Sequence, residues 1–540
     1  MPDDPSTERA PPTGRPPDVV MIITDQWHPR CLGYAGHPLV RTPNLDRLAA
    51  EGTVFDRMYT PLPLCMPARA SLFTGQTPRG HGVRANGIPL DPAVPTFTEA
   101  MRRAGYRTHC CGKIHLHNGA PPDGVDLDTL DPADYPECGS LWRQGRIDRL
   151  PLPYYGLDGV DYCGGHGHGS YGDYTRWLSA HRPDLAPLFF DRVPTEPPGP
   201  AAKLFNRSLY KWALPAEAHP TAWVVDRSID FLHAAAEAGP SRGDDPPFCL
   251  MCSIPDPHSP FAAPSPYNEM YRPEDAPPPR GRPGELDDLP PHFRGMVETS
   301  LMTSGNPAEP MNATEPYASR CAAQYFGLIS LIDDQVGRLL KTLDDAGLAK
   351  DTLVLFMADH GEALGDHGLW GKGPYHYDGV IRVPFAMRWP GRVPAGRRCS
   401  TVSSLLDVAP TVLAAGGVEP LSGLPTGLPG HLADPPPVMP GRDLVPVANA
   451  DDDPDADAVV EMDEDYLHLR LRTLVTPRYR MTCYPGQAYG ELFDLEHDPD
   501  ELYNLWDLPD HAAVRGELRE RLFERLVATD ATLPRQRSRS

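Results

Sequence analysis

No apolar run in the 540 residues approaches the roughly 20 that a helix needs to span a bilayer. The first residues, Met1 to Pro17, are polar and proline-rich where a secretory leader would be apolar. There is no basic stripe with interleaved aromatics, and the formal net charge of −23 opposes a phosphate backbone. These absences argue against membrane and nucleic-acid partners and make a cytoplasmic location the expectation. A disulfide framework is missing too. The 11 cysteines are odd in number and scattered, so most are expected to be reduced and buried. Cys249 and Cys252 share a C-x-x-C spacing, but they lie in the apolar run Phe248 to Ile254, where a strand turns them to opposite faces.

What the chain does have is an ordinary globular balance, with 40% hydrophobic and 23% charged residues. Its length favours one large domain with a smaller one, and its 67 prolines predict long ordered loops. Three short apolar runs, Val19 to Thr24, Phe248 to Ile254 and Thr352 to Ala358, read as buried strands. Helical patterns cover Thr42 to Glu51, Thr96 to Ala104 and Tyr317 to Ala346, closing at Gly52, Gly105 and Gly347. This alternation predicts an α/β fold with a large, mostly parallel sheet flanked by helices.

A helical stretch, Leu405 to Ala415, gives way to the Pro- and Gly-rich Pro420 to Pro440 and then to an acidic run, Asp451 to Asp457, which reads as a solvated loop. Short strands over Tyr466 to Leu474 and Arg478 to Tyr484 and a helix over His511 to Ala528 predict a small C-terminal α+β subdomain. The expected division is a tail over 1–17, a main unit over 18–440, the subdomain over 441–530 and a tail over 531–540.

In open α/β sheets ligands collect at the carboxyl ends of strands. Asp25-Gln26 follows the first apolar run, Pro255-Asp256-Pro257-His258 the second and Asp359-His360 the third. Two carboxylates, an amide oxygen and an imidazole brought to one edge suit a divalent cation, with hard oxygens favouring calcium, magnesium or manganese. Each doublet taken alone is also what a strand end or a helix cap uses.

Cys65-Met66-Pro67-Ala68-Arg69 resembles the C-x-P-x-R signature of the sulfatase family. Thr42-Pro43-Asn44-Leu45-Asp46 and Gly112-Lys113-Ile114-His115 are similar to its T-P-N-L-D and G-K-x-H stretches. Ala358-Asp359-His360-Gly361-Glu362, through Gly371-Lys372-Gly373, resembles its downstream metal and lysine segment. Glu491-Leu492-Phe493-Asp494-Leu495, with Pro499 and Asn504-Leu505, resembles its C-terminal signature. The motifs run in the family's order from Val19 to Leu505.

The resemblance implies an alkaline-phosphatase-like fold and conversion of Cys65 to formylglycine (3-oxoalanine) by a formylglycine-generating enzyme, a partner in maturation. By the same resemblance, Asp25, Gln26, Asp359, His360 and the converted Cys65 hold one divalent metal. Calcium is expected first, with manganese or magnesium as alternatives, because Gln26 stands where many sulfatases carry a second aspartate. Arg69, Lys113 and Lys372 would stabilise the anionic centre, His258 would protonate the departing oxygen and His115 would act as base. Asn86, in Arg84-Ala85-Asn86-Gly87, would join Lys113, His258 and Lys372 on the substrate, although Asn-Gly is also an ordinary turn.

The implied reaction is hydrolysis of a sulfate monoester: a small metabolite, a carbohydrate or an aryl sulfate. Net acidity disfavours a highly sulfated polymer. The Asp-Gln pair also resembles choline-sulfatase-like and phosphonate-monoester-hydrolase-like relatives, so hydrolysis of phosphonate monoesters or phosphodiesters is the alternative. Lys113 and His115 speak against it, since that subgroup usually has uncharged hydroxyl residues there. A sulfatase-like binding protein without catalysis is the remote alternative. Gly164 to Gly169, with His166 and His168, reads as a flexible substrate-side loop in preference to a second metal pair. The proline-rich Pro183 to Pro200 and Tyr271 to Pro291 are expected to shape the pocket. Asn312-Ala313-Thr314 fits a glycosylation acceptor pattern but has no leader to route it there.

Overall fold

A computed structural model describes residues 15–195, 209–237, 245–294, 315–421, 439–465 and 468–529. Most of the Met1 to Pro17 segment, the end of Pro183 to Pro200, Asn312-Ala313-Thr314, most of Pro420 to Pro440 and the C-terminal tail lie outside the described residues.

The three apolar runs are adjacent strands at the centre of a nine-stranded sheet. Asp18–Asp25, buried along its whole length, pairs in parallel with Phe248–Pro257 on one side and Thr352–Ala358 on the other. Arg107–Gly112 and then Gly159–Gly164 continue the parallel set. Antiparallel strands flank this set on both sides: Phe385–Arg388 beside Thr352–Ala358, and Tyr171–Gly172 beside Gly159–Gly164. Near-continuous aliphatic sequence in the central strands follows from burial on both faces. Helices flank the sheet in two groups. Pro43–Glu51, Pro220–Ala236 and Glu315–Asp345 pack together, and Cys65–Thr74, Phe97–Arg103 and Val408–Gly416 form the second group. No helix among the described residues is long and apolar enough to cross a membrane.

Cys249 and Cys252 are buried in the Phe248–Pro257 strand, and burial pushes both thiols up to about 12. Gly105 and Gly347 end their helices in the left-handed region as expected, but Gly52 does not: its φ is −139°. Glycine is required there for a different reason. A Cβ on Gly52 would lie 2.2 Å from the Met387 carbonyl oxygen of the Phe385–Arg388 strand.

The C-terminal part is an antiparallel sheet of four strands, Ala458–Glu464, Leu469–Val475, Tyr479–Cys483 and Gly490–Asp494, with the helix Ala512–Ala528 packed on it. The first of these strands follows directly on the acidic run, and that run is not wholly a solvated loop. The Asp457 carboxylate is paired with Arg521 at 2.7 Å and Arg525 at 2.9 Å, which ties the terminal helix to the sheet. The pairing crosses more than sixty positions of sequence, so local charge pattern carried no sign of it.

Candidate active site

All five parallel strands deliver a polar residue to one edge. Asp25 closes the Asp18 strand, with Gln26 next in a left-handed turn at φ 65°. Asp359 and His360 follow the Thr352 strand, His258 the Phe248 strand, Lys113 the Arg107 strand and His166 the Gly159 strand. Cys65 meets them from the start of the helix Cys65–Thr74, every residue of which is buried. Pro67 fits the first turn, where its missing N–H has no partner to lose, and Arg69, four residues after Cys65, lies on the same helix face. The Met66 N–H donates to Asn86 Oδ1 at 3.0 Å, so Asn86 anchors the helix start that carries Cys65.

Around the thiol the contacts are dense. Cys65 Sγ lies 3.3 Å from His360 Nε2, 3.6 Å from Asp25 Oδ1 and 3.2 Å from Lys372 Nζ. His360 Nδ1 is 2.9 Å from the Gly361 carbonyl oxygen, which makes it the protonated nitrogen and turns the Nε2 lone pair inward. Arg69 donates to Asp359 at 2.8 Å and Asp25 at 3.2 Å, and also to the Lys113 carbonyl and Ser253 Oγ at 2.8 Å each. Lys113 Nζ donates to Asp25 Oδ2 at 2.6 Å and to His166 Nε2 at 2.5 Å. Lys372 donates to Gln26 Oε1 at 2.6 Å, while the Gln26 amide nitrogen donates to Glu362. Glu362 also accepts from Leu364 and Gly371, so it fixes which way the Gln26 amide points.

Burial alone would raise the Cys65 thiol and the Asp25 carboxyl. At Cys65 the charges of Lys113 and Lys372 lead the effects that outweigh it and hold the thiol well below its usual range. At Asp25 burial and the neighbouring Cys65 are likewise outweighed by Lys113, and the carboxyl stays well below its usual range. Burial and Lys113 push His115 down to about 4. Burial, then His166 and Lys372, push His258 well below the ordinary histidine value, and its Nδ1 sits 2.6 Å from the Ser259 carbonyl, leaving Nε2 for the site. Asp25, Cys65, Asp359 and His360 bring ligand atoms within 4.8 Å of one another. Carboxylate oxygens with an inward imidazole nitrogen form a donor set that fits one divalent cation.

The Sulfatase family model matches residues 17–418, and a model of the C-terminal region of N-sulphoglucosamine sulphohydrolase matches 365–528. The chain belongs to the sulfatase family. It is 28% identical to an arylsulfatase of Clostridium perfringens, covering 94% of each chain. It is 29% identical to the multifunctional alkaline phosphatase superfamily protein PehA of Trinickia caryophylli, covering 96% of this chain and 97% of that one. Among solved structures, the phosphonate monoester hydrolase of Agrobacterium radiobacter aligns with a TM-score of 0.75 at 26% identity, over 95% of this chain and 96% of that one. Membership makes the chain a hydrolase with the alkaline-phosphatase-like architecture described above.

The structure brings together Asp25, Gln26, Cys65, Arg69, Lys113, His258, Asp359, His360 and Lys372 as a single buried cluster. His115 stands next to it, with its Nδ1 buried and without a partner among the described residues. Motif reading missed His166, Ser253 and Glu362. The loop carrying His166 is not loose: its ring stacks on His258 with centroids 3.6 Å apart and planes 8° from parallel. The strand-end rule finds His166 once Gly159–Gly164 is recognised as a strand, but its two flanking glycines and mixed polarity hide it.

Proposed function

We propose that this sulfatase-family hydrolase cleaves a small sulfate monoester with a formylglycine made from Cys65 as nucleophile. The observation that carries the reading is the setting of Cys65 Sγ, at a helix start and against His360, Asp25 and Lys372 at once. A divalent cation held by Asp25, Gln26, Asp359 and His360 would draw charge from a sulfate oxygen and acidify the attacking hydroxyl.

The aldehyde at residue 65 takes up water and becomes a diol on one carbon. One hydroxyl oxygen, ionised, attacks sulfur; the bond from sulfur to the substrate oxygen breaks and that oxygen takes a proton from His258. The second hydroxyl then gives its proton to His115, whose depressed proton affinity keeps it neutral and ready to accept. The carbon–oxygen double bond re-forms, the carbon–oxygen bond to sulfate breaks, and sulfate leaves. The ammonium groups of Lys113 and Lys372 meet the anionic oxygens, with the Arg69 guanidinium behind them against Asp25 and Asp359. His258 must be protonated for its step, although burial, then His166 and Lys372, depress its proton affinity before substrate arrives. The negative charge of an arriving sulfate works against that depression as the leaving group docks.

A second reading, hydrolysis of phosphonate monoesters or phosphodiesters by the same nucleophile, is favoured by the likeness to the Agrobacterium hydrolase. Lys113 and His115 favour the sulfate. The test is co-expression with a formylglycine-generating enzyme, mass spectrometry of the peptide containing residue 65, and comparison of kcat/KM on aryl sulfate and aryl phosphonate monoester. An intact thiol, beside a control sulfatase that is converted, sinks both readings. A conversion with faster phosphonate turnover exchanges the first for the second.

A further inference from the structure

The segment after the Arg107–Gly112 strand leaves the sheet along an uncommon path. His115 has φ 58°, a left-handed value that a histidine keeps only when its surroundings hold it. Lys113 is fixed from the sheet: its N–H donates to the Ser253 carbonyl at 2.9 Å, and its own carbonyl accepts from Ser253 Oγ at 2.6 Å. His115 has no such tie: its ring hydrogen-bonds only toward Cys65, and its buried Nδ1 has no partner among the described residues, so nothing behind the ring holds it and the backbone turn sets the direction from which it reaches residue 65.

The backbone is held by Glu137. Its carboxylate, with no exposed surface, accepts the N–H groups of His115 at 2.8 Å, Leu116 at 3.0 Å and His117 at 3.1 Å. It also accepts the hydroxyls of Tyr154 at 2.9 Å and Tyr162 at 3.2 Å, while Tyr171 donates to the Glu137 carbonyl at 2.7 Å. Three consecutive N–H groups converging on one anion form a nest, and with the two tyrosine hydroxyls five donors saturate the roughly four lone-pair sites of the carboxylate, so at least two of them share a site. An amide cannot take its place: the NH2 end would face donors and leave buried N–H groups unpaired.

We infer that Glu137 is a positioning residue for His115, a buried anion that holds the left-handed turn and thereby aims the imidazole at residue 65. The inference rests on the proposed role of His115 as base. It is tested with matured enzyme on an aryl sulfate, comparing wild type, Glu137→Gln, His115→Ala and the double variant. Glu137→Gln is expected to lower kcat about tenfold or more in the wild-type background and to add nothing to His115→Ala. A loss that multiplies in the double variant, or an undiminished kcat in Glu137→Gln, overturns it. If His115→Ala itself keeps full kcat, the reading of His115 as base is what fails. Glu137 is then judged by the crystal structure of Glu137→Gln, in which residue 115 is expected to leave the left-handed region; an unchanged turn overturns the inference. Should Glu137→Gln not fold, Tyr154→Phe removes one donor from the carboxylate and keeps the ring. It is expected to lower kcat about threefold in wild type and not at all in His115→Ala, and equal losses in both count against the proposal.

Discussion

Burial pushes the thiols of Cys110, Cys111, Cys249 and Cys252 up, as it does for core cysteines in general, whereas the neighbouring Lys113 and Lys372 lead the reversal of that effect at Cys65. The chemistry proposed for residue 65 can be split at its midpoint. Cys65→Ser keeps a hydroxyl able to attack sulfur but lacks the second hydroxyl that expels sulfate. Incubated with an aryl sulfate, that variant is expected to accumulate a stable sulfate ester on residue 65, seen by intact mass, with no multiple turnover. Continued turnover would exclude the diol mechanism. The proposed cation can be tested separately. Dialysis against a chelator is expected to abolish turnover and lower Tm by about two degrees, since a ligand at about 100 times its Kd stabilises by roughly 2.7 kcal/mol. Restoring calcium, manganese and magnesium one at a time then identifies the ion, and an unchanged Tm would deny the site a resident metal. Much of this site was legible in the sequence, because Cys65, Lys113, Asp359 and Lys372 sit inside short motifs. Glu137, Ser253 and His166 were not, because they act through contacts made between distant segments, and no local pattern records those.

At the scale of elements, the T-P-N-L-D stretch has a structural reading that the motif alone does not disclose. It starts the helix Pro43–Glu51, and the Asp333 carboxylate of the long helix Glu315–Asp345 accepts the N–H groups of Asn44 and Leu45 and the Asn44 side-chain amide, at 2.8 to 3.1 Å. Two helices are thereby locked at a helix N-terminus, where a carboxylate is best placed. Asp333→Ala would orphan those donors beneath a buried contact and is expected to cost about 1–3 kcal/mol, read as a lower urea midpoint. An unshifted midpoint would mean that water replaces the carboxylate without loss. The central strands and long helices were readable because each has a clean period and clear ends. The Ala458–Glu464 strand was overlooked because its sequence, AVVEMDE, continues an acidic run, and its identity as a strand comes from pairing with Leu469–Val475.

Over the whole molecule, one buried histidine, His81, and two half-buried ones, His37 and His292, tie stability to pH. His37 and His292 are pushed by burial down to about 4, and His81 down to about 3. Each has a folded value below the roughly 6.5 of the unfolded chain, so the unfolded state binds more protons on the acid side. The sign follows: their contribution is fully present above about pH 6.5 and is lost as pH falls toward 4, by about 1.4 kcal/mol per pH unit for each proton at most. His81 isolates the effect, being buried with both ring nitrogens engaged, Nε2 with Ser71 Oγ at 2.9 Å and Nδ1 with the Val83 N–H at 3.1 Å. Protonation would put a second donor against the Val83 N–H at a buried position. His81→Gln is therefore expected to lower Tm at pH 7.5, where the neutral ring is well satisfied, and to flatten the decline in Tm between pH 6.5 and 4.5. A variant with the wild-type slope would place the acid sensitivity in the carboxylates instead. The lowered Asp378, paired with Arg382 at 2.7 Å, adds to the loss only further down the scale. The two sources are therefore separated by where the slope begins.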